Sequence, residues 1–305
     1  MGRRPWTRTR SRRGPPLPDP VGPGAAVVIL GLVSALAWGA ADFGGGSLAR
    51  RAPLFGVVLA TQAIGMIVAF GLGLVRGEPL PQGADVAWSL ACGLCGVIGI
   101  TSLYRGLAAG RMGVVAPVTG VIGAVIPVTF GFVTEGLPAP AVIVGILTAL
   151  LAVVLVTRAP GHGEDRPSGV GWALVAGSGI GLFNICIGQL SGEGAFGPLV
   201  LIRLLQAAVI LVLIVAWRQP WRVERRLWLP LVLVGLLDMT GNAAFIFATQ
   251  AGQLAIASIL SSLYPVVTVL LAIVILRERL SRSHGVGIVL TGVAIVLIGL
   301  GSATL

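Results

Sequence analysis

A chain of 305 residues with 56% apolar and only 10% charged side chains cannot cover a water-soluble globule, because soluble domains carry about a quarter charged residues. The formal net charge of +10 comes from arginine alone, with no lysine in the chain. Six of the 21 basic residues crowd "MGRRPWTRTRSRR" and most others sit in short breaks between apolar blocks, so they read as topology signals and headgroup anchors and not as a nucleic-acid surface.

Residues 1–23 form an Arg/Pro-rich arm expected to be disordered. Its "SRRGPPL" is similar to a twin-arginine signal, but the next block, 24–43, is about 20 residues and suits a spanning helix better than a cleaved signal core. The arm also reads as an over-called start of translation. Nine further apolar blocks follow: 54–75, 84–104, 112–134, 138–157, 169–190, 198–217, 228–250, 253–276 and 284–302. Each is long enough to cross a hydrocarbon core of ~30 Å as a helix rising about 1.5 Å per residue. The runs are continuous and lack the alternation of a barrel strand. The expected fold is therefore an all-α integral membrane protein with ten transmembrane helices. The breaks "AAGRMG" and "TQAGQ" are short enough to predict tight antiparallel hairpins for spans 3–4 and 8–9.

Several features recur at nearly one spacing. Gly93 and Gly235 are 142 residues apart, as are Gly110 and Gly252; Glu135 and Glu278 are 143 apart, Gln62 and Gln206 are 144 apart, and Pro127 and Pro265 are 138 apart. This predicts two five-helix repeats, 24–157 and 169–302, joined by a linker loop at 158–168. Five is odd, so the second copy enters the membrane inverted. Such inverted repeats place a substrate site near the midplane between the copies.

Polar residues inside the spans are the candidate site. Asp42 in span 1 lies one helical turn after Trp38 and just before "GGG". An indole can bracket a cationic ligand and a partly buried acid can carry a proton; the plainer reading is an interfacial anchor, with Asp42 reaching headgroup water or Arg50. Gln62, Gln189 and Gln206 read as amides that join helices. Cys92 and Cys95 form "CGLC" in an apolar run without His or acid nearby, which suits helix packing rather than metal or redox work. Gly106 and Gly110 form a GxxxG packing motif, and Pro117 and Pro127 are candidate kinks in span 4. Asn184 in span 6 falls opposite the Asp42 region in the repeat. Asp238 stands mid-span in "VGLLDMTGNAAF", where an ionised carboxylate costs about 2.5–3.5 kcal/mol. Asn242, at i+4, shares its face. Both line a substrate or proton site, or Asp238 pairs with Arg203 of span 7, which helical rise puts at a matching depth; such a pair could also act as a gate. Tyr264 precedes Pro265, which is expected to kink span 9 and free carbonyls beside a polar phenol. Glu278 in "LRERL" reads as a loop-end ion-pair cluster, and His162 and His284 sit in separate loops.

These residues resemble the drug/metabolite transporter superfamily, and within it the bacterial transporters with two EamA-type domains. The resemblance is carried by "WGAADF" (Trp38 on), "LYRGLAAGRMGVVAPVTGVIGAVIPV" (Leu103 on) and "LSSLYPVVTVLLAIVILRERLSRSHGVGIVLTGVAIVL" (Leu260 on). It spans about 23–302, although "VTEGLPAP" lacks the arginines that flank Glu278 in the second copy. The resemblance implies two inverted EamA-type repeats and movement of small metabolites, often amino acids or related compounds, across the plasma membrane.

The expected function is thus a secondary transporter, an exporter working by alternating access, with Asp42 or Asp238 exchanging protons. The expected partners are a small-molecule substrate and the lipid bilayer, without nucleic acid and as a monomer or homodimer. No cofactor is expected: the chain has no GxxxxGK[ST] loop for direct nucleotide use. The competing readings are a structural or sensory membrane subunit without flux, and a membrane-embedded enzyme on lipid-linked substrates, for which no paired acids or histidines appear. For orientation, loops after the odd spans and their adjoining span ends hold thirteen arginines against Arg76 alone after the even spans, which puts both chain ends outside; the six-arginine arm favours the opposite.

Overall fold

Lipid supplies no hydrogen-bond partner, so each apolar block satisfies its own backbone as a helix. The computed structural model describes residues 23–135, 140–158, 168–190, 194–251, 260–261, 263–277 and 282–302. Among these it holds ten α-helices and one short 3₁₀ turn, without a strand. The helices are α1 (Pro23–Ala49), α2 (Leu54–Arg76), α3 (Ala84–Ala109), α4 (Met112–Glu135), α5 (Pro140–Arg158), α6 (Val170–Ile187), α7 (Phe196–Ala216), α8 (Trp228–Ala251), α9 (Tyr264–Leu276) and α10 (Arg282–Ser302). Six of them, α1–α3 and α6–α8, are long and apolar enough to cross a membrane. The arm at 1–22, most of the linker loop with His162, residues 252–259, where the hairpin between spans 8 and 9 is expected, and Glu278 lie outside the described residues.

Side chains sort by size. Exposed positions are large and aliphatic, such as Leu36, Ile67, Val212 and Val274, as expected where the solvent is lipid. The contacts between helices use small residues that let backbones approach. On α6, Ala173, Ala176, Gly177, Gly179 and Gly181 are buried, while Leu174, Val175 and Leu182 point outward. Gly106 and Gly110 serve the same purpose: Gly106 lies against Val115 and Trp172, and Gly110 against the backbone of Gly169.

The dominant packing runs between the two halves of the chain. α1 packs on α8, α3 on α6, α2 on α7, α5 on α10, α4 on α6 and α1 on α9; α3 also meets α7, α2 meets α8 and α4 meets α9. Chain neighbours touch less. The α3–α4 connection turns within two residues, closed by Gly110 N–H to Gly106 O at 2.7 Å. α4 then leaves α3 and lies mainly on α6.

One local expectation changes, and the prolines show how two spans are built. α6 ends at Ile187, so Gln189 falls in the turn beyond it and is not an amide within a span. Span 9 is interrupted beside Pro265, as expected: residues 260–261 are helical, Leu263 is in a turn, and Pro265 stands in the first turn of α9. A proline there loses no helical hydrogen bond, because the first-turn N–H groups have no partner to lose. Pro117 and Pro127 do lie inside α4, which continues through both.

At the opposite end from the arginine-rich connections, Glu78 in the α2–α3 connection accepts from the N–H groups of Ala195 (2.9 Å) and Phe196 (2.8 Å) at the start of α7. Arg76 pairs with Glu78 at 3.0 Å and lies over the Phe247 ring at 5.2 Å. This ties α2, α7 and α8 together at that face.

Backbone approach sets a prediction. A Cβ on Gly179 would stand 2.6 Å from Gly99 N and 2.8 Å from Gly99 Cα, where no flexible side chain can yield, whereas a Cβ on Gly171 meets nothing within 4 Å. Gly179→Ala is expected to lower stability by about 1–3 kcal/mol, and Gly171→Ala to leave it unchanged or slightly raised. Thermal unfolding of the two variants in one detergent measures the difference.

Candidate functional site

Two polar groups meet in the interior, one on α7 and α8 and one on α1. The first centres on Arg203, which is 6% exposed. Its Nη2 is 2.5 Å from Asp238 Oδ2. Its Nη1 donates to Gln62 Oε1 and, at 3.2 Å, to Gln206 Oε1. Asn242 Nδ2 donates to the Asp238 carbonyl at 2.7 Å and reaches Asp238 Oδ1 at 3.4 Å. The Arg203–Asp238 pair considered from helical depth is therefore present. Gln62 and Gln206, read from sequence as ordinary helix-joining amides, are both ligands of the guanidinium. Each is 2% exposed. Gly65 and Gly96 make room for this cluster. A Cβ on Gly65 would touch Arg203 Nε at 3.4 Å, and one on Gly96 would strike the Gln206 amide.

The second group lies on α1 and the helices against it. The Trp38 ring packs on Phe245 at 5.5 Å between centroids and edge-on to Tyr264 at 6.3 Å. Gly241 lies flat against the indole, where any Cβ would collide with it. Ser34 Oγ donates to the Gly241 carbonyl at 3.0 Å, and Thr268 Oγ1 to the Gly39 carbonyl at 3.1 Å. These bonds hold α1 to α8 and α9. Asp42, one turn beyond Trp38, is 8% exposed. Tyr104 of α3 is buried with its ring against Gly45. Asp42 is thus packed among the helices.

Asn184 sits in the last turn of α6, half-buried, and its carbonyl accepts from Gly188 N–H; no described contact joins it to Asp42. Gly241 and Phe245 had no signal as site residues beyond lying on the Asp238 helix. The cysteines gather instead of standing apart. Cys186 of α6 joins Cys92 and Cys95 of α3, and Cys92 Sγ also contacts the Phe183 carbonyl at 3.7 Å. Among the described residues no group of His, Cys, Asp or Glu is arranged to hold a metal ion.

An interior of this kind, with charged and aromatic groups on a seam between packed helix sets, can bind a solute and change partners as the helices shift. Residues 167–300 match the EamA-like transporter family. A solved crystal structure of a protein superimposes with a TM-score of 0.61, covering 91% of this chain and 98% of its own, at 20% identity. At that identity the likeness is one of fold. No curated protein matches the chain. The EamA match and the apolar helices together support a membrane protein of the drug/metabolite transporter type.

The buried charges predict an unequal response. Arg203→Leu leaves the Asp238 carboxylate without its cation, whereas Asp238→Asn leaves Arg203 its bonds to Gln62 and Gln206. Removing one partner of a buried pair costs about 3–5 kcal/mol, and Arg203→Leu is expected to reach that range while Asp238→Asn loses less. The double variant Arg203→Leu/Asp238→Leu should recover part of the loss. Thermal unfolding of the three variants tests the order.

Proposed function

We propose that the protein is a secondary transporter, exporting small metabolites such as amino acids or related compounds across the plasma membrane by alternating access. The reading takes the chain as ten transmembrane helices in two inverted five-helix repeats, 24–157 and 169–302. One observation carries it. Exchanging each helix with the one five places on converts α1·α8 into α6·α3, α4·α6 into α9·α1 and α3·α7 into α8·α2, and leaves α2·α7, α4·α9 and α5·α10 as they are. Local approaches follow the same exchange. Gly93 meets Leu205 and the Ile202 carbonyl, while Gly235 meets Ile64 and the Thr61 carbonyl; Gly99 meets Ile180, while Gly241 meets Trp38. A twofold relation in the membrane plane produces such pairs, and the buried charges lie on its seam. The Gly93/Gly235 approach equates α2 with α7 at 141 residues (202 against 61, 205 against 64), so Gln62 corresponds to Arg203 and not, as the sequence spacing implied, to Gln206.

In this reading Trp38, Asp42, Asp238, Asn242 and Tyr264 line the substrate path, Asn184 lies at the position related to Asp42, and the Arg203–Asp238 pair is a gate that opens as the repeats rock. Asp42 or Asp238 carries a proton in exchange. The Glu78 cap with Arg76 closes the face away from the arginine-rich loops. A structural subunit without flux has no need of buried charges at the seam, since each raises the cost of insertion.

Flux in proteoliposomes, with labelled amino acids, sugars and amines and with or without a pH gradient, tests this. The expected result is gradient-driven movement of at least one solute, abolished by Asp42→Asn or Asp238→Asn. Unchanged flux in both variants rejects proton exchange, and no movement of any solute favours the subunit.

Sidedness gives a separate prediction. Arg51 and Leu80 are exposed at opposite ends of the bundle, and the arginine-rich end is assigned to the cytoplasm. In a cysteine-free background, Arg51→Cys should label only after the cell is opened and Leu80→Cys in intact cells.

A further inference from the structure

The interior charges of the spanning helices do not cancel. Arg203 is engaged by Asp238 and two glutamines. Asp42 remains: buried, within the field of Asp238, and reached by no hydrogen bond or ion pair among the described residues. An unpaired carboxylate in a membrane interior is costly enough that either a proton or a cation must meet it. The Tyr264 hydroxyl is a second orphan, buried without a hydrogen-bond partner and subject to the charge of Asp42. The Trp38 ring, one turn before Asp42, is packed by Phe245 and Tyr264 and pressed by Gly241.

The related position in the other half removes each of these features. The Gly99–Ile180 and Gly241–Trp38 approaches equate Trp38 with Ile180 at 142 residues, and the same spacing equates Asp42 with Asn184. The indole is an isoleucine there and the carboxylate an amide. A packing role would be served by either set, whereas a site for one charged ligand needs only one copy.

We propose that Asp42, Trp38 and Tyr264 form a binding site for a protonated organic amine bearing an apolar or aromatic body. The carboxylate takes the ammonium, the indole face and the phenol ring contact the body and part of the charge, and the Tyr264 hydroxyl accepts an N–H or orders the carboxylate. A hard metal cation requires six or more oxygens, which one carboxylate and one phenol do not provide. A free carboxylate ligand would face both Asp42 and Asp238. The proposal rests on the transporter reading and narrows its substrate class.

The full chain in lipid nanodiscs and radiolabelled phenethylammonium test it by direct binding. Saturable binding is expected in the unaltered protein, weakened about tenfold or more by Asp42→Asn and about threefold or more by Trp38→Leu or Tyr264→Phe. The lipid-facing Thr240→Val is expected to bind normally. Unlabelled 3-phenylpropionate should not compete, and thermal unfolding checks that each variant is folded. Absence of binding to the unaltered protein, Asp42→Asn binding as tightly as the unaltered protein, or equal competition by 3-phenylpropionate overturns the site. The last two also exclude a role for Asp42 beyond carrying a proton. Proteoliposome flux separates the two levels. Movement of anions or neutral solutes without amines removes this site and leaves the transporter, whereas no flux of any solute removes the transporter reading itself.

Discussion

The structure depends on how a bundle built to sit in hydrocarbon holds a guanidinium and two carboxylates in its interior. Water would stabilise them and lipid does not, so each must find a partner among the helices. Arg203 is surrounded by Asp238, Gln62 and Gln206, drawn from α2, α7 and α8. Glycines at 65 and 96 create the space. The small-residue contacts that let α2 approach α7 and α3 approach α6 thus also make room for the charges.

The same constraint explains the way the halves interlock. If each half packed mainly on itself, Gln62 of α2 could not reach Arg203 of α7. With α1 on α8, α2 on α7 and α3 on α6, Arg203 takes Gln62 from the first half beside Asp238 and Gln206 of its own. A shift between halves would therefore alter the Gln62 contact of Arg203. The ends are fastened differently. Glu78 and Arg76 bind α2, α7 and α8 together on one face, whereas the opposite face carries most of the arginines in loops.

Much of this was legible in the sequence, for physical reasons. Helix positions could be read because lipid demands long apolar runs, and the Arg203–Asp238 pair because depth follows from helical rise. The odd helix count carries the expectation of inversion, which belongs with the proposed function. What escaped depends on contacts between halves, which spacing alone does not fix. Gln62 and Gln206 looked like generic amides because nothing in a single helix says that one arginine lies between them. Cys186 joins Cys92 and Cys95 only because α6 crosses α3. Pro265 could be read as a disruption of its span; that it begins a helix depends on the turn at Leu263 before it.

The two halves differ most where their polar groups lie, and this difference has a mechanical meaning. A perfectly repeated sequence would place equivalent charges at two related points and give the open and closed ends equal energies. Here Arg203 is matched by Gln62, Asp238 by Gly96 and Asp42 by Asn184. In the proposed transporter the backbone would keep the relation between the halves while the side chains break it. The charged side of the seam would then meet each state differently, and a cation at the proposed Asp42 site would have different neighbours in the two. A ligand shifts an equilibrium only through such a difference in affinity, so under that proposal the departure from symmetry is what would let a solute drive the motion.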